Sequence, residues 1–215
     1  MKAGLGIETR PRRRRAAGLV GLVGLLALAL ALVLTGCSTD PLADQYRAGS
    51  NKGFIAGDGS VTEIAAAERG AAVAWNGLDE TGAAVSDTDY AGKVLVLNFW
   101  YASCAPCRVE APALQKLNAE FSGTGAEWLG VNVRDQAANA IAFNQSYGIT
   151  YPSIMDVDGG AMQLAFSGSI PPNAVPTTLV LDKSGRVAAR ILGALSTPSI
   201  LETIVRDALN EVPAA

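Results

Sequence analysis

Apolar positions fall along this chain in blocks whose spacing alternates between strand-like and helix-like. Residues 94–101 are apolar or aromatic at every position but Asn98, the composition of a strand covered on both faces. The run breaks at Ala102-Ser103, and helical spacing follows over about 106–121. Pro106 falls in the first turn, where its missing N–H costs nothing, and Pro112 lies inside, where it predicts a kink. Residues 126–132 predict a second strand. Residues 136–147 predict an amphipathic helix with Ile141, Phe143 and Tyr147 turned to the core. Residues 154–156 suit a short third strand or extended connector, and 162–166 a short helical turn. Two apolar runs, 177–182 and 186–192, flank Lys183-Ser184-Gly185 and predict a hairpin. A closing helix over 198–210 buries Ile200, Ile204, Val205 and Leu209. Upstream, residues 73–78 and 83–85 on either side of Asp79-Glu80-Thr81-Gly82 predict a β-hairpin, and 61–69 a short helix. Strand and helix alternating in this order predict an α/β protein, a central mixed sheet flanked by helices behind an N-terminal hairpin. No internal repeat is visible.

The first sixty residues have a different character. Residues 12–15 are four arginines, 19–34 an apolar segment of Leu, Ala, Val and Gly, and Leu34-Thr35-Gly36-Cys37 comes next. Basic, apolar, then small is the order of a secretory signal, and the apolar run is short for a membrane span. The closing tetrapeptide resembles a bacterial lipobox. That resemblance implies a lipoprotein signal peptide over 1–36, cleavage before Cys37, and diacylglyceryl on the Cys37 sulfur. An uncleaved membrane anchor is the alternative, and the shortness of the run weighs against it. The arginines also raise twin-arginine export, but the flanking pattern is poor. Acyl chains hold a protein at a bilayer by about 0.8 kcal/mol per buried CH₂, so the domain is expected at the outer face of the cell membrane. Residues 38–60, rich in Gly, Ser, Asp and Ala, suit a flexible tether, which we bound at 37–65, with the folded domain over 66–215.

Loss of that leader changes the electrostatics. Of 17 basic and 20 acidic residues, six basic and one acidic lie in the first 37; the remaining 11 and 19 leave a net charge of −8. No basic patch is left to meet a phosphate backbone, so no nucleic-acid partner is expected. Of three cysteines, Cys37 is reserved for lipid and Cys104 and Cys107 form a pair. Export puts that pair where disulfides persist.

The chemistry concentrates at Cys104-Ala105-Pro106-Cys107, at a strand-to-helix corner. A sulfur there lies over the positive end of a helix, which stabilises a thiolate. Structural zinc takes four nitrogen or sulfur ligands, and the chain has no histidine and no fourth candidate, so no metal is expected. The same absence argues against a copper chaperone. An inert disulfide is the remaining rival to a redox pair, because reactivity depends on exposure.

The stretch NFWYASCAPCRVEAP resembles the active-site segment of the TlpA/ResA/DsbE-like thiol-disulfide oxidoreductases of the thioredoxin superfamily. The likeness extends more loosely from Trp75 to the C-terminus. It is specific at Phe99-Trp100, at Cys104 and Pro106-Cys107, at Glu110 with Pro112, and at Val175-Pro176-Thr177. One departure is Ser103, where many relatives have Trp; it bears on the substrate-facing rim and the potential. The resemblance implies a thioredoxin-like fold and catalysis by Cys104 and Cys107 without a cofactor. Cys104, nearer the surface, would attack, and Cys107 would resolve the mixed disulfide. Arg108 either assists by its charge or is simply solvated. Thioredoxins bury an Asp where this chain has Asn98; the resemblance gives the buried acid to Glu110 instead, as a proton shuttle beside the cysteines. The plain alternative is a surface helix residue. For Val175-Pro176 it implies a cis peptide, a minority conformer among X–Pro bonds, and a substrate clamp in which the Val175 backbone pairs with a cysteine-containing peptide. Pro171 and Pro172 shape the preceding loop. Trp100 and Tyr101 are core or rim residues.

The expected partners are cysteine-containing exported proteins and a membrane thiol-disulfide electron donor or acceptor. Reduction of apocytochrome c cysteines in cytochrome maturation is the direction known for such relatives. Oxidation of exported thiols and a non-catalytic binding lipoprotein are the alternatives. A peroxiredoxin fits less well, since that family places a lone peroxidatic cysteine after a Thr-rich turn.

Overall fold

Residues 61–169 and 174–211 are described by the structure, a computed structural model. They carry β1 (Val61–Glu63), β2 (Asn76–Leu78), β3 (Ala84–Ser86), β4 (Val94–Trp100), α1 (Ala105–Glu120) and β5 (Ala126–Asn132). After these come α2 (Ala137–Tyr147), β6 (Ser153–Met155), α3 (Ala161–Ala165), β7 (Thr177–Leu181), β8 (Val187–Leu192) and α4 (Pro198–Asn210). Six strands form one sheet in the order β1-β8-β7-β4-β5-β6, and β2 and β3 form a separate antiparallel pair. Strands β4, β5 and β6 run parallel, while β4–β7, β7–β8 and β8–β1 are antiparallel. This is the mixed sheet that the sequence pattern predicts.

Strand β4 lies between β5 and β7 with all seven residues buried. Its side chains alternate between faces, as extended backbone requires. Val94 and Val96 pack with Leu114, Leu117 and Phe121 of α1 and Leu201, Ile204 and Val205 of α4. Leu95, Leu97 and Phe99 pack on the other side with Trp75, Met162 and Phe166. Asn98 belongs to the face of Val94 and Val96, so the one polar residue of the strand is delivered under α1.

Several expectations need correction. Residues 61–63, expected in a tether or a short helix, are the edge strand β1, with Val61, Thr62 and Glu63 opposite Ile191, Arg190 and Ala189. Two adjacent β-branched residues, Val61 and Thr62, favour extension, and β8 supplies the ladder that local sequence cannot. On α2 the buried residues are Ala140 and Phe143; Ile141 is 38% exposed and Tyr147 half-buried. On α4 they are Leu201, Ile204, Val205 and Ala208, with Ile200 and Leu209 partly covered. In both helices a small alanine, Ala140 and Ala208, is buried among larger core side chains, as close packing allows. Helix α1 continues through Pro112 as a single element.

The hairpin β2–β3 covers the outer edge of β6. Asp79 makes a bridge to Ile154, and the Glu80 carboxylate accepts hydrogen bonds from the Ser153 N–H (2.7 Å) and Asn144 Nδ2 (3.0 Å). An exposed edge is thereby blunted. The β5–β6 seam leaves no room for a side chain at Gly130: a methyl group there would lie 2.2 Å from Ser153 Oγ and 2.8 Å from Trp100 Nε1. Gly130→Ala is expected to cost about 1–3 kcal/mol by overpacking, seen as a lower urea midpoint at unchanged slope. A variant as stable as its parent would show that Ser153 can turn away freely.

Signal peptide, lipidation site and most of the tether (residues 1–60), and Pro171 and Pro172, lie outside the described residues. Among the described residues no helix is long and apolar enough to cross a membrane.

Candidate active site

Strand β4 ends at Trp100, and the chain turns at once: the Cys104 N–H donates to the Tyr101 carbonyl at 3.1 Å. Helix α1 begins at Ala105, with Pro106 in its first turn and Cys104 as its N-cap. The capping group is the cysteine sulfur itself, which accepts from the Cys107 N–H at 3.2 Å. A sulfur so placed meets both an otherwise unpaired backbone donor and the positive end of a four-turn helix. Cys104 and Cys107 are joined in a disulfide, S–S 2.07 Å. Their exposures are 3% and 2%, so surface position does not separate them as expected; the capping role does.

Glu110 follows Cys107 by three residues and so shares its helix face. It is 1% exposed, which decides against a solvated helix residue. One carboxylate oxygen accepts from Asn98 Nδ2 at 2.8 Å and the other from the Leu195 N–H at 2.7 Å. Asn98 Nδ2 also reaches Thr178 Oγ1 at 3.2 Å, tying α1 to β4 and β7. Burial disfavours the charged carboxylate and pushes its pKa up to about 7, against the downward pull of the Leu195 and Asn98 hydrogen bonds. Burial, and then the Glu110 charge, holds the Tyr151 hydroxyl above the ordinary phenol range. A carboxyl group that titrates near neutrality beside a redox pair can take or give a proton at working pH. Asn98, an amide, donates to the carboxylate but cannot itself take up its proton.

The Val175–Pro176 peptide is cis. Val175 packs against the apolar cluster that contains Cys104 and Cys107, although 68 residues separate it from Cys107 in sequence. Thr177 begins β7, and its hydroxyl donates to the Ala174 carbonyl at 3.0 Å. Trp100 is core, packed against Phe143 of α2 with centroids 4.3 Å apart and planes tilted by 39°. Tyr101 is half-buried at the rim under Arg134, whose guanidinium carbon is 4.0 Å from the ring centroid. Arg108 is exposed, but its Nε donates to the Ala102 carbonyl at 2.9 Å.

Sequence reading missed the loop after β5. Asn132 is fully buried; its Oδ1 accepts from the N–H groups of Arg134 (3.1 Å) and Asp135 (2.8 Å), and its Nδ2 donates to Asp135 Oδ2 at 2.9 Å. That oxygen also accepts from the Ala102 N–H. The available signal was an Asn followed three residues later by Asp at a strand end, a pattern that bonds to its own backbone.

The AhpC/TSA family model matches residues 69–190, more than half of the chain. Thiol-disulfide oxidoreductase ResA of Geobacillus thermodenitrificans is 34% identical over 113 residues, 53% of this chain and 62% of the relative; the chain thus spans less than two thirds of that relative's length. Among solved structures, a DsbF homologue from Corynebacterium diphtheriae is 36% identical, with TM-score 0.62 over 72% of this chain and 97% of that one. A secreted thiol-disulfide isomerase from Corynebacterium glutamicum is 33% identical, with TM-score 0.64 over 74% and 97%. A CxxC pair capping a helix, a buried acid one turn on and these relationships agree: the chain belongs to the AhpC/TSA family on the thioredoxin fold, and is a homologue of the ResA-like thiol-disulfide oxidoreductases.

Proposed function

We propose that this protein is an extracytoplasmic thiol-disulfide oxidoreductase, held to the membrane by lipid on Cys37, that reduces disulfides in exported proteins. Apocytochrome c cysteines are the client class that the resemblance to ResA-like proteins favours. The observation that carries the thiol-disulfide exchange is Cys104 as N-cap of α1 with its sulfur on the Cys107 N–H; the reducing direction rests on the resemblance to ResA-like proteins. The helix end and this donor stabilise a thiolate at Cys104 more than at Cys107.

In the reduced protein the Cys104 thiolate attacks one sulfur of a client disulfide, forming a mixed disulfide and expelling the other client sulfur as thiolate. Cys107, deprotonated with Glu110 as acceptor, attacks Cys104 Sγ; the Cys104–Cys107 disulfide forms and the client leaves as a dithiol. Two electrons pass to the client, and a membrane dithiol donor returns two to the enzyme. The Val175 backbone, beside the cysteine cluster, offers a place for the client's extended segment to pair. An exported location is supported by the leader over residues 1–36 and by likeness to a secreted isomerase.

Catalysed insulin reduction by dithiothreitol tests the activity, and the potential tests the direction. A value near about −270 mV, as in thioredoxin, supports a reductase, and one near about −120 mV, as in DsbA, makes the protein an oxidant. A pair that never exchanges with glutathione would leave only a binding protein. For the anchor, Cys37→Ala is expected to move the processed protein from membrane to soluble fraction; firm retention would refute lipid attachment.

A further inference from the structure

We propose that Asp135 and Arg108 are positioning residues for disulfide exchange: they grip the two polar main-chain groups of Ala102 and so hold the turn that seats Cys104 on the end of α1. The inference rests on the proposed attack by Cys104. Asp135 Oδ2 accepts from the Ala102 N–H, and Arg108 Nε donates to the Ala102 carbonyl at 2.9 Å. Both peptide planes flanking Ala102 are therefore fixed by charged groups, and charge-assisted hydrogen bonds are about twice as strong as neutral ones.

The grip is anchored at both ends. Asp135 is held by buried Asn132, through Nδ2 at 2.9 Å and through Oδ1 on the Asp135 N–H at 2.8 Å. The Val133 N–H donates to the Trp100 carbonyl at 3.1 Å, and Arg134 covers Tyr101. Arg108 projects from the first turn of α1, the turn that Cys104 caps. Two residues beyond Ala102, the Cys104 sulfur must meet the Cys107 N–H. If the grip is lost, the turn relaxes, the sulfur leaves that donor, and the thiolate loses stabilisation.

The sign follows. A less stable thiolate raises the Cys104 pKa and disfavours the reduced protein, so the potential becomes more negative. Charge alone predicts the reverse for Asp135, since an acid near a thiolate destabilises it and its removal would lower the pKa. The charged groups on the elements around Cys104 are Arg108, Glu110, Lys116 and Glu120 on α1 and Arg134 and Asp135 after β5, and all but the substituted one stay constant in each comparison.

The experiment measures iodoacetamide labelling of Cys104 against pH in the reduced full chain, read by peptide mass, with the glutathione equilibrium constant measured in parallel. Asp135→Ala is expected to slow labelling at pH 6.5 about tenfold and to shift the glutathione equilibrium toward the disulfide. Asp135→Asn keeps an oxygen for the Ala102 N–H and is expected to stay within about twofold of the parent. Arg108→Lys keeps the charge, loses the Nε bond, and is expected to slow labelling severalfold. Faster labelling in both Asp135 variants would show that the residue acts by its charge and overturn the proposal, as would unchanged labelling in Asp135→Ala and Arg108→Lys. An unmutated chain inert toward insulin would instead sink the oxidoreductase itself. Melting curves exclude global unfolding, and if Asp135→Ala fails to fold, Arg108→Lys on the helix surface decides.

Discussion

Cys107→Ser is expected to stop turnover while leaving the first chemical step intact. In this variant Cys104 keeps its place at the N-cap, because the Cys107 N–H that meets its sulfur belongs to the backbone. It can attack a client disulfide, but no neighbouring thiol can displace the client again. An intramolecular nucleophile in good geometry is worth far more than millimolar thiol in solution, so resolution should slow by about a thousandfold or more. The mixed disulfide should accumulate as a covalent adduct on non-reducing gels and disappear with excess dithiothreitol. Cys104→Ser should give neither turnover nor adduct. The roles would have to be exchanged if Cys104→Ser trapped client and Cys107→Ser did not, a real test because the two sulfurs are equally covered.

The second large effect concerns Glu110 and pH. Its folded pKa is about 7 against an ordinary 4.5, with burial as the cause. Below pH 4.5 the group is protonated in both folded and unfolded chains and contributes no pH dependence. Between 4.5 and 7 the unfolded chain has released the proton while the folded one retains it, so stability falls as pH rises. Above 7 both are ionised and the loss is complete, on the order of 3 kcal/mol for a shift of this size. Glu110→Gln is expected to flatten that slope and to remove an inflection near pH 7 from the rate of Cys107 reaction. The slope is the right readout, since the amide turns an N–H toward a donor, Leu195 or Asn98, and lowers stability at every pH. If wild type and Glu110→Gln gave superimposable pH profiles for stability and for both thiols, Glu110 would be neither a buried titrating group nor a shuttle.

Much of the fold was legible because its signals are local and repeated. The apolar run at 94–101, the hairpin signal at Lys183-Ser184-Gly185 and Pro106 at a helix start each declare an element through a few adjacent residues, and β4, β7–β8 and α1 form there. The edge strand β1 was not legible, since three residues become a strand only when β8 offers a ladder. Helical spacing placed Phe143, Ile204 and Val205 in the core, where they are buried, but it did not single out Ala140, Leu201 or Ala208.

The site divides in the same way. Sequence by itself placed the candidate groups: two cysteines at a strand-to-helix corner, in a chain without histidine, and a carboxylate one helical turn on. These are statements about neighbours along the chain, and helix geometry alone converts spacing into proximity. Only the tertiary structure decided how that chemistry is tuned. Glu110 is buried because Asn98 of β4 and the Leu195 backbone close over it, and Val175 reaches the cysteines because β7 lies beside β4. Asp135 meets Ala102 because β4 and β5 run parallel and end together. Burial and a pKa depend on which distant segments exclude water from a group, and no periodicity along the chain encodes that pairing.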